Sequence, residues 1–417
     1  MRKLILSALM LATGAGAFAQ KLSDVEDKLS KGKYDEARAT IDKMMADPKN
    51  QTNANAWYRK GSIYGQLAMD STKADQALAN RAEALNAFKK YYELDPKNVL
   101  GQLEQNVRMF QLYEGHYNAA LGEYNKQNFA GSFANFSKAL ETEEYIKSKG
   151  FTYGGINFPA LDTNLYLNTA ATALKAKMED SAMKYYAKLA DAKIKNDQFI
   201  EVYQTLVDYY GRKGDKANQM KYMEIGKELY PGNDYWVEAE LEPVRDNKPQ
   251  LFAKYQELIG KNPGSYYLNY NYAVELFNYM YANDQKPADA ATIEPLVEPA
   301  IAAAIKANSN ADANYLMVRY MTEKIYRTED AMRALKGTDA ASINKRKNYA
   351  ADIKKQWAAM APYAETAFAA YEGKKDLKGF EKGNFKNVSN VLTDYYGMQK
   401  NEAKVKEYQD RLKAAGM

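Results

Sequence analysis

Apolar side chains recur along most of the chain at intervals of three, four and seven, the period of one helix face. Tyr34, Ala37, Ile41 and Met44 form such a stripe, which stops at Pro48. Phe129, Ser132, Phe136 and Ala139 form another, and Tyr166, Ala170 and Ala173 are followed by Ala182, Tyr186 and Leu189. Leu251 to Gly260, Pro295 to Lys306 and Tyr363 to Tyr371 also read as helices. No stretch alternates apolar and polar residues with the period of a strand. The pattern breaks at 68–80, 149–162, 283–299, 336–346 and 373–387. The break at 283–299 holds three prolines. The one at 149–162 mixes four turn formers, Gly150, Gly154, Gly155 and Pro159, with Phe151, Tyr153, Ile156 and Phe158. A solvated loop gains nothing from exposing so many apolar side chains, so this one should be ordered. Its rings either pack on neighbouring helices or await a partner, which makes Tyr153 and Phe158 candidates for contact.

Two segments carry more specific spacing. Residues 57–64 read Trp57-x2-Lys60-Gly61-x2-Tyr64, followed by Ala84-x3-Phe88-x2-Tyr91 and then Pro96. Residues 203–210 read Tyr203-x2-Leu206-Val207-x2-Tyr210, followed by Gln219, Met223, Gly226 and Pro231, with a turn at Arg212-Lys213-Gly214-Asp215. This second segment has a copy: residues 202–222 and 388–408 are identical at eight of 21 positions. The matches pair Val202, Leu206, Asp208, Tyr209, Tyr210, Gly211, Ala217 and Tyr222 with Val388, Leu392, Asp394, Tyr395, Tyr396, Gly397, Ala403 and Tyr408. The spacing has a packing logic. Large residues make a stripe on one helix, a small residue lets the next backbone approach, and proline ends the second helix.

These motifs resemble the tetratricopeptide repeat, a pair of helices with the pattern W-x2-L-G-x2-Y…A-x3-F…P. Lys60 stands where the family has leucine, and Val207 and Gln219 stand where small residues are usual. The resemblance implies an all-α fold, a TPR-like solenoid of antiparallel helix pairs winding into a right-handed superhelix. It also implies a ligand groove lined by exposed residues of the first helices. By spacing these are Asn55, Tyr58 and Ser62; Glu201, Gln204 and Asp208; and Asn387, Asn390 and Asp394. Helical register places Tyr267 and Tyr270 off the buried stripe too, as ring donors for a peptide or sugar. The implied function is a non-catalytic scaffold that binds a protein or peptide. An envelope glycan is the alternative partner.

Composition narrows the chemistry. The 417 residues contain no cysteine and one histidine, His116, which leaves no thiolate metal site, cysteine nucleophile or multi-histidine site. No cofactor motif is present. A glycan-cleaving enzyme would have to use carboxylates, and Glu141, Glu143, Glu144 and Glu238, Glu240, Glu242 are the clusters available. A net charge of +5, from 58 basic and 53 acidic residues, gives no electrostatic case for nucleic acid. Tyrosine is conspicuous, at 35 against 14 Phe and 3 Trp. In this repeat class tyrosine fills helix interfaces with its hydroxyl at the edge.

Arg2, Lys3, the apolar run from Leu4 to Ala12 and Ala17-Phe18-Ala19 read as a signal peptide over residues 1–19. Export to a periplasmic or secreted location is therefore expected. The mature chain, with no membrane span, would be one continuous helical array over 20–417.

Overall fold

A computed structural model describes residues 21–283 and 285–417. The expected signal segment lies outside the described residues. The described residues fall into two compact units, 21–231 and 232–417.

The first unit contains α1 (21–30), α2 (Tyr34–Met45), α3 (Ala54–Leu67), α4 (Ala77–Leu94), α5 (Val99–Leu103) and α6 (Val107–Asn125). It continues with α7 (Phe129–Lys149), α8 (Thr163–Lys175), α9 (Glu179–Asp191), α10 (Ile200–Lys213) and α11 (Lys216–Leu229). The second unit contains α12 (Tyr235–Leu241), α13 (Lys248–Lys261), α14 (Tyr266–Tyr281) and α15 (Ala290–Ala307). Its remaining helices are α16 (Ala311–Ala334), α17 (Ala340–Glu372), α18 (Gly379–Met398) and α19 (Glu402–Ala414). Among the described residues there is no strand, only a lone bridge between Tyr153 and Ile156. Helices pack in successive pairs: α3 on α4, α6 on α7, α8 on α9 and α10 on α11 in the first unit, and α14 on α15, α16 on α17 and α18 on α19 in the second. This is an all-α architecture of successive helix pairs.

Local chemistry sets the helix ends. Asn53, Asp162, Asp215, Ser265 and Asn401 each accept a backbone N–H three residues on, which satisfies a donor that the helix start leaves open. Gly150 and Gly214 close α7 and α10 in the left-handed region, at φ 65° and 72°. Close packing explains the small residues. A Cβ on Gly61 would lie 2.8 Å from the Phe88 ring, and Ala84 is fully buried beside it.

Several expected breaks are shorter than the proline and glycine content suggested. α15 begins at Ala290 and runs through Pro295 and Pro299, inside the break read at 283–299. Each proline forgoes one helix hydrogen bond. Burial of Ile293, Val297, Ile301 and Ala304 on one stripe outweighs that loss. α17 likewise starts inside 336–346 and α18 inside 373–387. Within 68–80 the chain makes a short 3₁₀ stretch, Ser71–Gln76, before α4. Residues 149–162 do form a loop, and it is packed. Phe151 lies 4.8 Å from Tyr92, Tyr153 5.7 Å from Phe110, and Phe158 4.7 Å from Tyr113. Lys147 donates to the carbonyls of Pro159 and Ala160, both at 3.2 Å.

The tyrosines do more than fill interfaces. Tyr64 on α3 donates to Asp42 on α2 at 2.6 Å, and Tyr166 on α8 to Glu144 on α7 at 2.6 Å. Tyr209 on α10 donates to Asp180 on α9 at 2.7 Å. In the second unit Tyr267 on α14 reaches Glu238 on α12, Tyr320 on α16 reaches Glu298 on α15, and Tyr396 on α18 reaches Glu365 on α17. Each bond ties the first helix of a pair to an earlier helix through a charged acceptor, a stronger bond than a neutral one. The rings supply apolar burial, and the hydroxyls fix how successive pairs register.

Candidate binding cleft

A cleft of about 330 Å³ opens in the first unit between α3, α4 and α6. It exists because Gly61, Ser62 and Gly65 on α3 and Gly115 on α6 leave space where larger side chains would meet. Phe88 and Leu112 give it an apolar floor, and Met69, 57% exposed, stands at its edge. Gln66 on α3 and Gln111 and Asn118 on α6 bring three carboxamides to its walls. Each carboxamide offers two donors and an acceptor, the complement of a peptide backbone.

Two arginines line the cleft. Arg108 is paired with Glu104 at 2.7 Å. Arg81, on α4, forms no ion pair with any described residue. Its one hydrogen bond runs from Nη2 to the Ala68 carbonyl at the end of α3, at 3.5 Å. Burial holds its pKa below the usual arginine range. Behind it lies His116, fully buried, with Nδ1 3.4 Å from the Asn135 Oδ1. Burial, and then the Arg81 charge, push the imidazole down to about 4, so it is neutral at pH 7.

The residues expected to line a groove fare differently. Tyr58 is a correction: it is 1% exposed, packed against Phe88 and Tyr91, with its hydroxyl directed to the Leu100 carbonyl. The chain carrying α5 and α6 covers that end of α3, which one-helix register cannot reveal. Ser62 is also buried and donates to the Tyr58 carbonyl, yet it lines the cleft. Asn55 is exposed. On α10, Glu201 and Asp208 are exposed and Gln204 is half-buried, outside the cleft lining.

In the second unit Tyr267 and Tyr270 are half-buried rather than open. Tyr267 is engaged by Glu238, and Tyr270 stacks on Tyr266 at 5.3 Å. Asn387 on α18 is exposed and donates to the Tyr315 hydroxyl on α16 at 3.0 Å. Asn390 and Asp394 are exposed further along α18. Tyr153 and Phe158 are held in the loop packing already described. The residues that sequence reasoning missed are Gln66, Arg81, Gln111 and Asn118. Gln66 is within the repeat pattern, four residues after Ser62, but nothing in the sequence marks Arg81.

The carboxylate clusters are engaged in structural pairs. Glu143 is buried with Lys147 at 2.9 Å, and burial raises its pKa. Glu141 pairs with Lys89 and Lys138, and Glu144 accepts from Tyr166. Glu238 and Glu242 share Arg245, and Glu240 pairs with Lys254 at 2.7 Å. Among the described residues no cluster of three metal-ligating side chains occurs, and no helix is long and apolar enough to cross a membrane.

No family model matches the chain, and no curated protein matches it. Among solved structures it is similar to the crystal structure of the P58(IPK) TPR domain, at 13% identity over 90% of this chain and 98% of that one, with a TM-score of 0.26. At that TM-score the likeness adds nothing to the helix pairing seen here.

Proposed function

We propose that this is a non-catalytic binding protein that works in an exported compartment and holds a protein or peptide segment in the α3–α4–α6 cleft. The observation that carries this reading is the convergence of the Gln66, Gln111 and Asn118 carboxamides over an apolar floor. An extended peptide needs that combination, with amides for its backbone and apolar surface for its side chains. The engagement of the carboxylate clusters in ion pairs, and of Glu144 by the Tyr166 hydroxyl, supports a binding role over a hydrolytic one. The basic start and small-residue site of residues 1–19 support export.

A glycan reading draws on Tyr270, Tyr315 and Asn387, rings and an amide on neighbouring helices. It is the weaker reading because Tyr266 already stacks on Tyr270, and Tyr371 already meets Tyr315 at 6.4 Å. Selection of a random peptide library on purified protein tests the proposal. A shared motif should emerge and be lost in the triple variant Gln66→Ala, Gln111→Ala, Asn118→Ala. Selection without enrichment, or enrichment indifferent to the variant, would overturn it.

A further inference from the structure

We infer that Arg81 is the receptor for a carboxylate carried on an apolar body, an acidic side chain of a peptide lying in the α3–α4–α6 cleft. The inference rests on the peptide-binding reading and names the chemistry that the cleft selects. A half-buried guanidinium normally has a carboxylate against it, because a desolvated charge is costly unless paired. Arg81 has none among the described residues. Glu114, the one carboxylate on the cleft wall, does not pair with it. Asp75 and Glu123 line a second cleft that Arg81 also borders, between the start of α4, α6 and α7. Neither of these pairs with Arg81, and Glu123 is held by Lys126 at 3.2 Å.

The guanidinium is also held in place. Its bond to the Ala68 carbonyl, at the C-terminal end of α3, uses one of five N–H donors. On α6 the missing side chain of Gly115 makes the slot in which it lies, since a Cβ there would stand 2.8 Å from the Arg81 Nε. His116 behind it is neutral at pH 7 and adds no competing charge. A planar donor fork, fixed by a glycine slot and open at a cleft, suits a planar carboxylate. Phe88, Leu112 and Met69 around it set the second requirement, an apolar neighbour to the acid.

The test is titration of the purified protein with acetyl-Ala-Leu-Glu-Leu-Ala-amide, with its Gln counterpart, and with the small carboxylate 4-phenylbutyrate beside its amide. Affinity is read by calorimetry and the Arg81 Nε–H resonance by NMR. The Glu peptide should bind at least about tenfold tighter than the Gln peptide and shift the Arg81 resonance. That margin should vanish in Arg81→Gln and shrink in Gly115→Ala, which displaces the guanidinium. Arg81→Lys keeps the charge and the contact to α3, so it guards against a folding defect and should retain part of the preference. If 4-phenylbutyrate binds through Arg81 and neither peptide does, the carboxylate receptor stands and its source is a free small acid. Equal binding of the Glu and Gln peptides would overturn the role of Arg81 and leave the peptide reading intact. Absence of binding by all four probes would overturn the inference as well.

Discussion

The pair α10–α11 in the first unit and the pair α18–α19 in the second are written in nearly the same letters, and the structure keeps some of them and reassigns others. Val202 and Leu206 are buried in one, Val388 and Leu392 in the other. Tyr210 stacks on Tyr222 at 5.6 Å and 17°, and Tyr396 on Tyr408 at 5.8 Å and 14°. Asp215 and Asn401 cap the second helix of each pair. The hydroxyl contacts differ by one position. In the first pair Tyr209 reaches back to Asp180, whereas in the second it is Tyr396, the counterpart of Tyr210, that reaches Glu365. The turn differs too, because Lys400 at φ 59° occupies the left-handed position that Gly214 holds at 72°. Ring packing inside a pair is therefore the repeated element. Contacts to the preceding helix are adapted to whatever carboxylate is at hand.

If the stack is the shared element, removing it should hurt both copies alike. Tyr222→Ala and Tyr408→Ala, which empty positions 3% and 4% exposed, should each lower stability by about 3–5 kcal/mol in urea denaturation. A large effect in one copy and a small one in the other would mean that the eight identities record ancestry and not a common packing unit.

Neither copy contains a histidine, and the pair α6–α7 shows what burying one does. His116 is neutral in the fold because its pKa is near 4, while in the unfolded chain it takes the ordinary value near 6.5. Between those values the unfolded state binds a proton that the folded state refuses. Stability is therefore intact above pH 6.5 and is lost as pH falls toward 4, by about 3 kcal/mol in all. His116→Gln should remove that component, so the stability difference between variant and wild type should change across this window and be constant above it. A difference independent of pH between 7 and 4 would show that the imidazole titrates normally.

How much of this was legible follows the same division. Spacing within a pair located α3 with α4, α10 with α11 and α18 with α19, because that packing depends on residues close in sequence. The prolines of α15 misled, because a buried stripe can override a lost backbone bond. Tyr58 misled because its cover, α5 and α6, comes from some forty residues downstream, where its hydroxyl meets the Leu100 carbonyl at a separation of 42. The tyrosine pins left a faint trace: Asp42 to Tyr64, Glu144 to Tyr166 and Glu298 to Tyr320 are each separated by 22 residues. Arg81 left none, since an arginine without a partner looks like any other until its surroundings are known.

The reassigned hydroxyls sharpen the comparison next. Tyr396→Phe keeps the ring stack and removes the bond to Glu365, which should cost about 1 kcal/mol. Tyr210→Phe, at the matching position, should cost much less. One residue earlier the order reverses, with Tyr209→Phe more harmful than Tyr395→Phe. Thermal midpoints of the four variants decide this, and a matching rank order in both copies would contradict the shifted contact.

The smallest expected effect concerns the turn. Lys400 holds a left-handed conformation that crowds Cβ against the neighbouring carbonyl, a strain of about 1–2 kcal/mol for a residue other than glycine. Lys400→Gly releases that strain, and against it stands the added freedom of glycine in the unfolded chain, about 0.4–1 kcal/mol. The balance favours the variant by roughly 0.5–1 kcal/mol. The reciprocal change, Gly214→Lys, should destabilise by a similar amount. Both should leave the ring stacks untouched, because the turn and the stripe are set by different residues. A stabilised Lys400→Gly with a destabilised Gly214→Lys, measured by urea denaturation, would show that the copies share a turn geometry which only one of them fills with its best residue. A loss of stability in Lys400→Gly would mean that the lysine side chain contributes more at this turn than its backbone costs.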